Sequence, residues 1–212
     1  MLNFPAQSRQ GPATEGTGAR MLSAIVATSD SERPLVHTLA CLVPGATAGL
    51  VREVIVADAG SRDETADVAD IAGCRLIVSP ESFGNRLRTA AAAARAPWLL
   101  FLRAGVVLDA NWVAEAMRFL GEAQGAPDAR AAVFRAAPLA ERMGSLLGRP
   151  FRLLRLGRRR GPGLLIAKSL YQRLGGHRDG ARSEIDLAGG FGRQRPVILR
   201  CAAFVSDPRR IT

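Results

Sequence analysis

The sequence is poor in the residues that build disulfide frameworks and zinc sites. Its three cysteines, Cys41, Cys74 and Cys201, are far apart, no C-x-x-C occurs, and the only two histidines are His37 and His177. An odd number of scattered cysteines argues against a disulfide framework, and two histidines give a zinc ion little to bind. A reducing cytosol is therefore the expected compartment.

Long apolar runs are also missing. No stretch reaches the roughly 18 apolar residues that a membrane-spanning helix needs, and the N-terminus lacks the basic-then-apolar order of a signal peptide. We therefore expect a cytoplasmic protein. Residues 1–20 are rich in Gly, Ser, Thr, Pro and Gln, which predicts a disordered tail, and residues 21–212 have the length of one domain.

The dinucleotide-binding motif and the pattern typical of nucleic-acid binding are absent as well. Ala27–Arg33, which follows the first apolar run, contains no glycine, so the G-x-G-x-x-G of dinucleotide-binding folds is excluded. The net charge of +10 favours acidic partners such as nucleotide phosphates, nucleic acid or anionic lipid. Nucleic-acid binding needs aromatic residues among the basic ones, and Phe151 is the only aromatic residue near the arginine-rich residues 142–160. Nucleic acid is therefore not an expected partner.

The sequence does have a regular alternation of short apolar runs and helical patterns, which is typical of a mostly parallel α/β sheet flanked by helices. The strands of this part are predicted at 21–27, 54–58, 75–78 and 98–102, and its helices at 34–43, 63–72 and 84–95. A short mixed C-terminal part follows. Its predicted elements are helix 112–120, strand 131–135, helical stripe 139–156, basic loop 157–163, strand 164–167, helix 169–174, weak helix 184–191 and strand 197–204.

The segment Arg52–Thr65 carries the strongest signal of a site. Its apolar run ends on Asp58, and a polar turn then leads into a helix start. Ligands of open α/β sheets bind beyond the carboxyl ends of the strands. The side chains and backbone expected there are Asp58, Gly60, Ser61 and Asp63. A capped turn that binds nothing is the alternative.

Five segments follow one another in an order that resembles the family-2 glycosyltransferases, which have the GT-A nucleotide-sugar fold. The family's opening strand and Thr-x-Asn-Glu-type loop resemble AIVATSDSE, and its E-V-I-V-V-D-D-G-S-x-D-x-T segment closely resembles REVIVADAGSRDET. Its W-L-L-F-L-D-A-D strand resembles APWLLFLRAGVVLDANWV, its G-G-[FH] turn GLLIAKSLYQRLGGHRD, and its E-D-x-D-L motif SEIDL. The resemblance spans residues 22–200 and implies a GT-A fold.

The resemblance implies a pocket for a nucleotide-sugar donor around the first two loops. Asp58 would accept a hydrogen bond from the donor base, a uracil or similar ring, and Ser61 and Asp63 would hold the same loop. The other residues that would line this pocket are Thr28, Asp30, Glu32 and Gly60.

The resemblance also implies a pair of catalytic acids. Glu184 occupies the position of the catalytic base and Asp186 that of the second acid of its motif. A carboxylate within reach of the acceptor hydroxyl can take its proton as it attacks the anomeric carbon. The alternatives are a helix cap for Glu184 and a solvated charge for either residue.

The chain departs from the family at the D-x-D, whose carboxylates help to hold Mn²⁺ or Mg²⁺. The three positions are Arg103, Ala104 and Gly105, so the metal ligands are lost here. Arg103, with help from the arginines at 158–160, would replace the metal, because a guanidinium binds phosphate oxygens and keeps its charge. The alternative is a catalytically inactive nucleotide-sugar-binding or scaffold protein. In the first interpretation Asp58 and Arg103 face one cleft.

The arginine-bordered apolar stripe at residues 139–160 has two interpretations. Such a stripe can lie on an anionic membrane surface, which would place the protein at the inner face of the membrane. It can also pack on the domain with its arginines in solvent.

Overall fold

The computed structural model of the protein describes residues 21–123, 130–136, 160–181, 185–187, 190–191 and 195–205. Their strands are β1 (Leu22–Thr28), β2 (Val51–Asp58), β3 (Arg75–Val78), β4 (Trp98–Arg103), β5 (Val106–Leu108), β6 (Ala131–Ala136), β7 (Arg160–Ala167) and β8 (Val197–Val205). Their helices are α1 (Glu32–Thr47), α2 (Thr65–Ile71), α3 (Phe83–Ala93), α4 (Trp112–Ala123) and α5 (Lys168–Arg173). The predicted tail at residues 1–20 lies outside the described residues.

The described strands form one mixed sheet in the order β3-β2-β1-β4-β7-β6-β8-β5. The first four strands are parallel, as the alternation of strands and helices predicts. Strand β7 then joins β4 in the antiparallel direction, and both antiparallel and parallel pairs follow among β5 to β8. The expected class, a mostly parallel α/β sheet flanked by helices with a mixed C-terminal part, is confirmed.

The parallel half of the sheet is covered on both faces. Every residue of β1 is buried, and such strands need continuous apolar runs because neither face meets water. Right-handed crossovers place α1 and α2 on one face of the sheet and α3 on the other. In agreement, α1 contacts α2, while α3 contacts β1 and β2. The carboxyl ends of β1, β2 and β4 therefore share one edge.

Helix α1 continues through the Pro44-Gly45 pair that was expected to end it. Pro44 lies in the last turn, where the proline removes one backbone hydrogen bond. Packing favours this turn, because Gly45 is buried against the ring of Trp112. A Cβ on Gly45 would lie 2.5 Å from that ring. The packed turn thus outweighs the local stop signal.

Three expectations for the C-terminal part are wrong or lie outside the description. The basic loop at 157–163 is wrong from residue 160 onward, since β7 begins at Arg160. The weak helix at 184–191 does not form at its described residues, where Leu187 makes a β-bridge with His177. Strand β5 was not predicted. The helical stripe at 139–156 lies outside the described residues.

Lys168 attaches the C-terminal part to the parallel half. Its Nζ donates to the carbonyls of Ala94 (2.6 Å) and Ala92 (3.2 Å) at the end of α3. The last carbonyls of a helix have no partner within the helix, and a lysine is favourable there. Its backbone N–H also donates to the Pro97 carbonyl (2.8 Å).

Among the helices in the described ranges, none combines the length and apolarity needed to cross a bilayer.

Candidate functional site at the carboxyl edge of the sheet

The candidate site begins with a buried carboxylate at the end of β2. Asp58 is 2% exposed, and the register pairs it with Thr28 at the end of β1. Its Oδ1 accepts hydrogen bonds from the hydroxyls of Thr28 and Ser61. Its Oδ2 accepts from the backbone N–H groups of Gly60 (2.8 Å) and Ser61 (2.7 Å). Donors from the chain itself therefore surround this carboxylate.

These hydrogen bonds stabilise the charge of Asp58. Burial alone would raise the pKa of Asp58, but the bonds from Ser61, Thr28 and Gly60 outweigh burial and hold that pKa below its ordinary value. A carboxylate offers about four acceptor positions, and all are used here. A base that contacts Asp58 must replace one donor, and the Thr28 and Ser61 hydroxyls are the donors that can rotate away.

The loops after β1 and β2 are joined by reciprocal hydrogen bonds. Asp30 has a φ of 43°, a left-handed conformation that residues other than glycine adopt infrequently. Its backbone N–H donates to the Ser61 hydroxyl oxygen (2.8 Å), and its Oδ1 accepts from the backbone N–H of Arg62 (2.8 Å). These bonds hold Asp30 in place and connect the two loops to each other.

Asp63 extends this connection to the helix starts. Its Oδ2 accepts from the backbone N–H of Glu32 (3.0 Å), and its Oδ1 accepts from the hydroxyl and backbone N–H of Thr65. Burial would raise the pKa of Asp63, but the hydrogen bonds from Thr65 and Glu32 lower it overall. Asp63 thus links the first residue of α1 with the first residue of α2.

Arg103 ends β4 at the same edge of the sheet but on the other face. Strand β1 pairs Thr28 with Asp58 and Ala27 with Arg103. Because successive side chains of a strand alternate between faces, Asp58 and Arg103 leave the sheet on opposite faces. The expectation that they face one cleft is therefore wrong for the faces of the sheet, and a ligand that contacts both side chains must lie beyond the carboxyl ends of the strands. The sequence shows where each strand ends but not this one-residue offset in register.

An arginine that the sequence analysis missed lies near both of these residues. Arg86 is in the first turn of α3, and its Nη1 donates to the carbonyl of Glu81 (2.8 Å). Burial lowers the pKa of Arg86, the charge of Asp58 raises it, and the charge of Arg103 lowers it. Arg86 therefore lies close enough to Asp58 and Arg103 for both charges to shift its pKa, although those two side chains leave the sheet on opposite faces.

Phe83, the first residue of α3, contacts both arginines. The guanidinium carbon of Arg103 lies 4.4 Å from the ring centroid, and that of Arg86 lies 6.0 Å away. These distances are in the cation–π range. The signal for this cluster is the spacing of Phe83 and Arg86 by three residues in a helix that follows the carboxyl end of β3. We call Phe83, Arg86 and Arg103 the arginine cluster.

Of the two acids assigned to catalysis, Glu184 lies outside the described residues. Asp186 is exposed and precedes Leu187, which forms the bridge with His177. The bridge fixes the backbone beside Asp186. Its position is thus tied to the turn that follows α5.

That turn packs on α3, the helix that carries Arg86. Arg88 donates to the carbonyl of His177 (2.9 Å) and forms an ion pair with Asp179 (2.9 Å). Gly84 permits the close approach, because a Cβ there would lie 1.7 Å from the carbonyl oxygen of Arg178. Helix α3 therefore supports both the arginine cluster and the segment that leads to Asp186.

Two buried aromatic side chains, Tyr171 and Phe101, hold His177 in place. The Tyr171 hydroxyl lies 2.9 Å from His177 Nδ1 and accepts from the His177 backbone N–H (3.3 Å). The ring of Phe101 lies 5.0 Å, centroid to centroid, from each of these two rings. Burial raises the pKa of Tyr171 to about 12, so this hydroxyl keeps its proton at neutral pH.

The sequence matches a known protein family over most of the described residues of its first half and beyond. The family model described as "Glycosyl transferase family 2" matches residues 23–171, which is more than half of the chain. The chain belongs to glycosyl transferase family 2. No curated protein matches it.

Solved structures similar to this family-2 chain share its fold at low identity. Glucosyl-3-phosphoglycerate synthase from Mycobacterium tuberculosis, in complex with Mn²⁺, UDP and phosphoglyceric acid, is 20% identical with a TM-score of 0.52. The match covers 79% of this chain and 64% of that one. A mannosyltransferase from Pyrobaculum calidifontis, in complex with GDP-Man and Mn²⁺, is 16% identical with a TM-score of 0.66, covering 89% and 57%. The chain thus spans less than two thirds of either protein.

The turn after β4 offers no acid that could bind a metal. The turn after β4 is Arg103-Ala104-Gly105, and it is fixed by hydrogen bonds from Ala104 N–H to the Ala27 carbonyl (3.0 Å) and from Gly105 N–H to the Thr38 hydroxyl (2.9 Å). Mn²⁺ and Mg²⁺ prefer oxygen ligands, and a guanidinium repels them. The part of the chain that the structure describes contains no group of three metal-binding side chains. The residues at this turn therefore do not fit a divalent metal.

Proposed function

We propose that the protein transfers a sugar from a nucleoside diphosphate sugar to an acceptor hydroxyl. The family match over residues 23–171 carries the proposal. The joined loops after β1 and β2 support it, because they form a fixed polar rim at the edge where open α/β sheets bind ligands. The solved relatives were found with UDP or GDP-Man, which favours a nucleotide-linked donor here.

In this proposal the nucleoside lies against the two joined loops. Asp58 contacts the base after one hydroxyl donor has rotated away, and Ser61 and Asp63 hold the loop. The other proposed contacts to the nucleotide are Thr28, Asp30, Glu32 and Gly60. The hydrogen bonds from Ser61, Thr28 and Gly60 outweigh the effect of burial and depress the pKa of Asp58. They keep the carboxylate charged and therefore a strong acceptor.

The proposed reaction is a direct displacement at the anomeric carbon. The acceptor oxygen forms a new bond to that carbon while the bond to the diphosphate oxygen breaks, and the nucleoside diphosphate leaves with the bonding electrons. Glu184 takes the acceptor proton, with Asp186 as the second acid. Arg103 stabilises the leaving diphosphate without a metal, since its charge persists at working pH. The arginines at 158–160 lie outside the described side chains.

A thermal-shift screen tests the proposal. The full chain is mixed with UDP, GDP and their sugars, once with Mn²⁺ and once with EDTA, and release of nucleoside diphosphate is then measured with each donor that stabilises the protein. We expect a raised melting temperature and release of the diphosphate in EDTA. If no nucleotide or nucleotide sugar stabilises the protein under either condition, the proposal is wrong.

The loss of both D-x-D acids favours a second candidate, a non-catalytic nucleotide-sugar-binding or scaffold protein. Such a protein would be stabilised by a nucleotide sugar in the same screen but would release no nucleoside diphosphate with any donor. The cytoplasmic location and the membrane contact through residues 139–160 stay predictions, and residues 139–159 lie outside the described part of the chain.

A further inference from the structure

We infer that Arg86 and Arg103 together form a metal-free binding site for a diphosphate, the leaving part of the donor. The inference rests on the proposed function and names the group that binds at the arginine cluster. Two guanidinium groups from different elements, α3 and β4, would then share the charge compensation that a divalent cation supplies to other diphosphates.

The first argument is the fixed position of both side chains. Arg86 is anchored by its hydrogen bond to the Glu81 carbonyl (2.8 Å), and its guanidinium carbon lies 6.0 Å from the Phe83 ring centroid. Arg103 lies closer to the same ring, at 4.4 Å. Guanidinium groups held against an aromatic ring lose little further freedom when an anion binds, which increases affinity.

The second argument is a buried donor. The Nε of Arg86 is buried and has no hydrogen-bond partner among the residues that the structure describes. Leaving a buried N–H without a partner is costly, and native structures seldom do it without a reason. A phosphate oxygen at this position would satisfy the donor, which is what an anion site requires.

The third argument is the excess of positive charge. The two arginines are close enough that Arg103 disfavours the charged form of Arg86. The charge of Asp58 offsets this effect on Arg86, but Asp58 supplies one negative charge while the two arginines supply two positive charges. An added anion removes this repulsion. Two planar donor groups match two linked phosphates better than one phosphate.

Calorimetry with inorganic pyrophosphate tests the inference directly. The full chain is titrated in EDTA at low salt as wild type and as Arg86→Gln, Arg103→Gln and Arg95→Gln. Arg95 is exposed and precedes the amino end of β4, so its variant matches the charge change away from the cluster. We expect wild type and Arg95→Gln to bind equally. Arg86→Gln and Arg103→Gln should each weaken binding about tenfold, the loss of a charge-assisted hydrogen bond.

Inorganic phosphate is the second probe, and the wild type should bind it at least about tenfold more weakly than pyrophosphate because only one phosphate is present. Equal affinity for the two probes would overturn the diphosphate assignment. So would unchanged pyrophosphate binding in Arg86→Gln. If that variant does not fold, Arg86→Lys serves instead, since it keeps the charge but loses the planar fork, and unchanged affinity in it has the same meaning.

The outcome is separable from that of the proposed function. If nucleotide sugars bind and turn over while Arg86→Gln leaves pyrophosphate affinity unchanged, only the inference fails. If no nucleotide sugar binds but pyrophosphate binding depends on both arginines, the anion site stands and the transferase proposal fails.

Discussion

The loops after β1 and β2 and the turn after β4 lie at the same edge of one sheet but are held by different chemistry. The loops are held by carboxylates, since Asp58 and Asp63 accept hydrogen bonds from hydroxyls and backbone N–H groups of both loops. The turn after β4 has no carboxylate. The residue that leads into it is Arg103, whose side chain lies against Phe83 on the face of the sheet opposite to Asp58.

The difference teaches which role an acid can lose. Asp58 and Asp63 satisfy backbone donors of their own chain, so replacing either would leave buried or half-buried N–H groups without partners. An acid that only holds a metal has no such partners. It can be replaced, provided that another cation compensates the diphosphate. The arginine cluster is the candidate for that cation.

The largest effect should come from Arg103→Ala, which tests the β4 side of the comparison. With a donor identified by the screen, we expect turnover in EDTA to fall by about 10²–10³-fold, the usual effect of removing one group that stabilises developing charge. The measurement is the release of nucleoside diphosphate, with Arg95→Ala as the control. A turnover that needs added Mn²⁺ or Mg²⁺ would contradict the idea that Arg103 replaces the metal.

Asp58→Asn should have the next largest effect, on the β2 side. The amide places an N–H₂ group against donors, so we expect the free energy of unfolding to fall by about 3 kcal/mol. Urea denaturation measures it. Asp70→Asn, an exposed change in α2, is the matched control and should change little. Equal stability of the two variants would show that the network is not needed to hold the loops.

The pH dependence of stability gives a second test of Asp58, with wild type and Asp58→Asn as the two proteins compared. Because the folded pKa of Asp58 is depressed, its stabilisation is fully present above the unfolded pKa of about 3.9. It is lost as the pH falls through the lower folded pKa. We expect the stability difference between wild type and Asp58→Asn to be constant near neutral pH and to shrink below about pH 4. A difference that stays constant down to strongly acidic pH would argue against a depressed pKa.

Gly84→Ala tests whether α3 supports the segment that leads to Asp186 as well as the arginine cluster. The new Cβ would meet the carbonyl of Arg178, so we expect a loss of about 2 kcal/mol of stability through overpacking. Gly121→Ala is the control, since nothing lies within 4 Å of its Cβ position. Turnover should fall in Gly84→Ala while pyrophosphate affinity stays, because the segment leading to Asp186 moves and the arginines do not. Lowered pyrophosphate affinity would mean that both depend on this contact.

Tyr171→Phe should have the smallest effect. It removes the hydroxyl that lies 2.9 Å from His177 Nδ1, and we expect a cost of about 1 kcal/mol, the typical net value of one hydrogen bond. Urea denaturation measures the change. A loss as large as that of Asp58→Asn would show that the aromatic group supports the site as strongly as the acid network does.

Much of the fold follows from local patterns in the sequence. Strand β3 was predicted with its observed bounds, Arg75–Val78, because a short apolar run stands between a glycine and a proline. Asp58 was expected at a strand end because an apolar run stops there and a polar turn follows, and the structure places it at the end of β2. These features depend on residues that are neighbours in the chain.

What the sequence could not predict depends on contacts between distant residues. The one-residue offset that separates Asp58 from Arg103 arises from pairing of β1 with both β2 and β4. Strand β5 has three residues and exists because β8 pairs with it. Arg86 falls within the helix predicted at 84–95, and that prediction does not show that the helix start would bring it near two other charges.

Lys168 has a practical consequence for following this protein in solution. It is the only lysine in the sequence, and its amine is engaged with the carbonyls of Ala92 and Ala94. An amine-directed reagent therefore meets one side chain, and it reacts there faster when that amine is released. The rate of acylation at Lys168 therefore reports how readily the contact between the two halves of the sheet is broken.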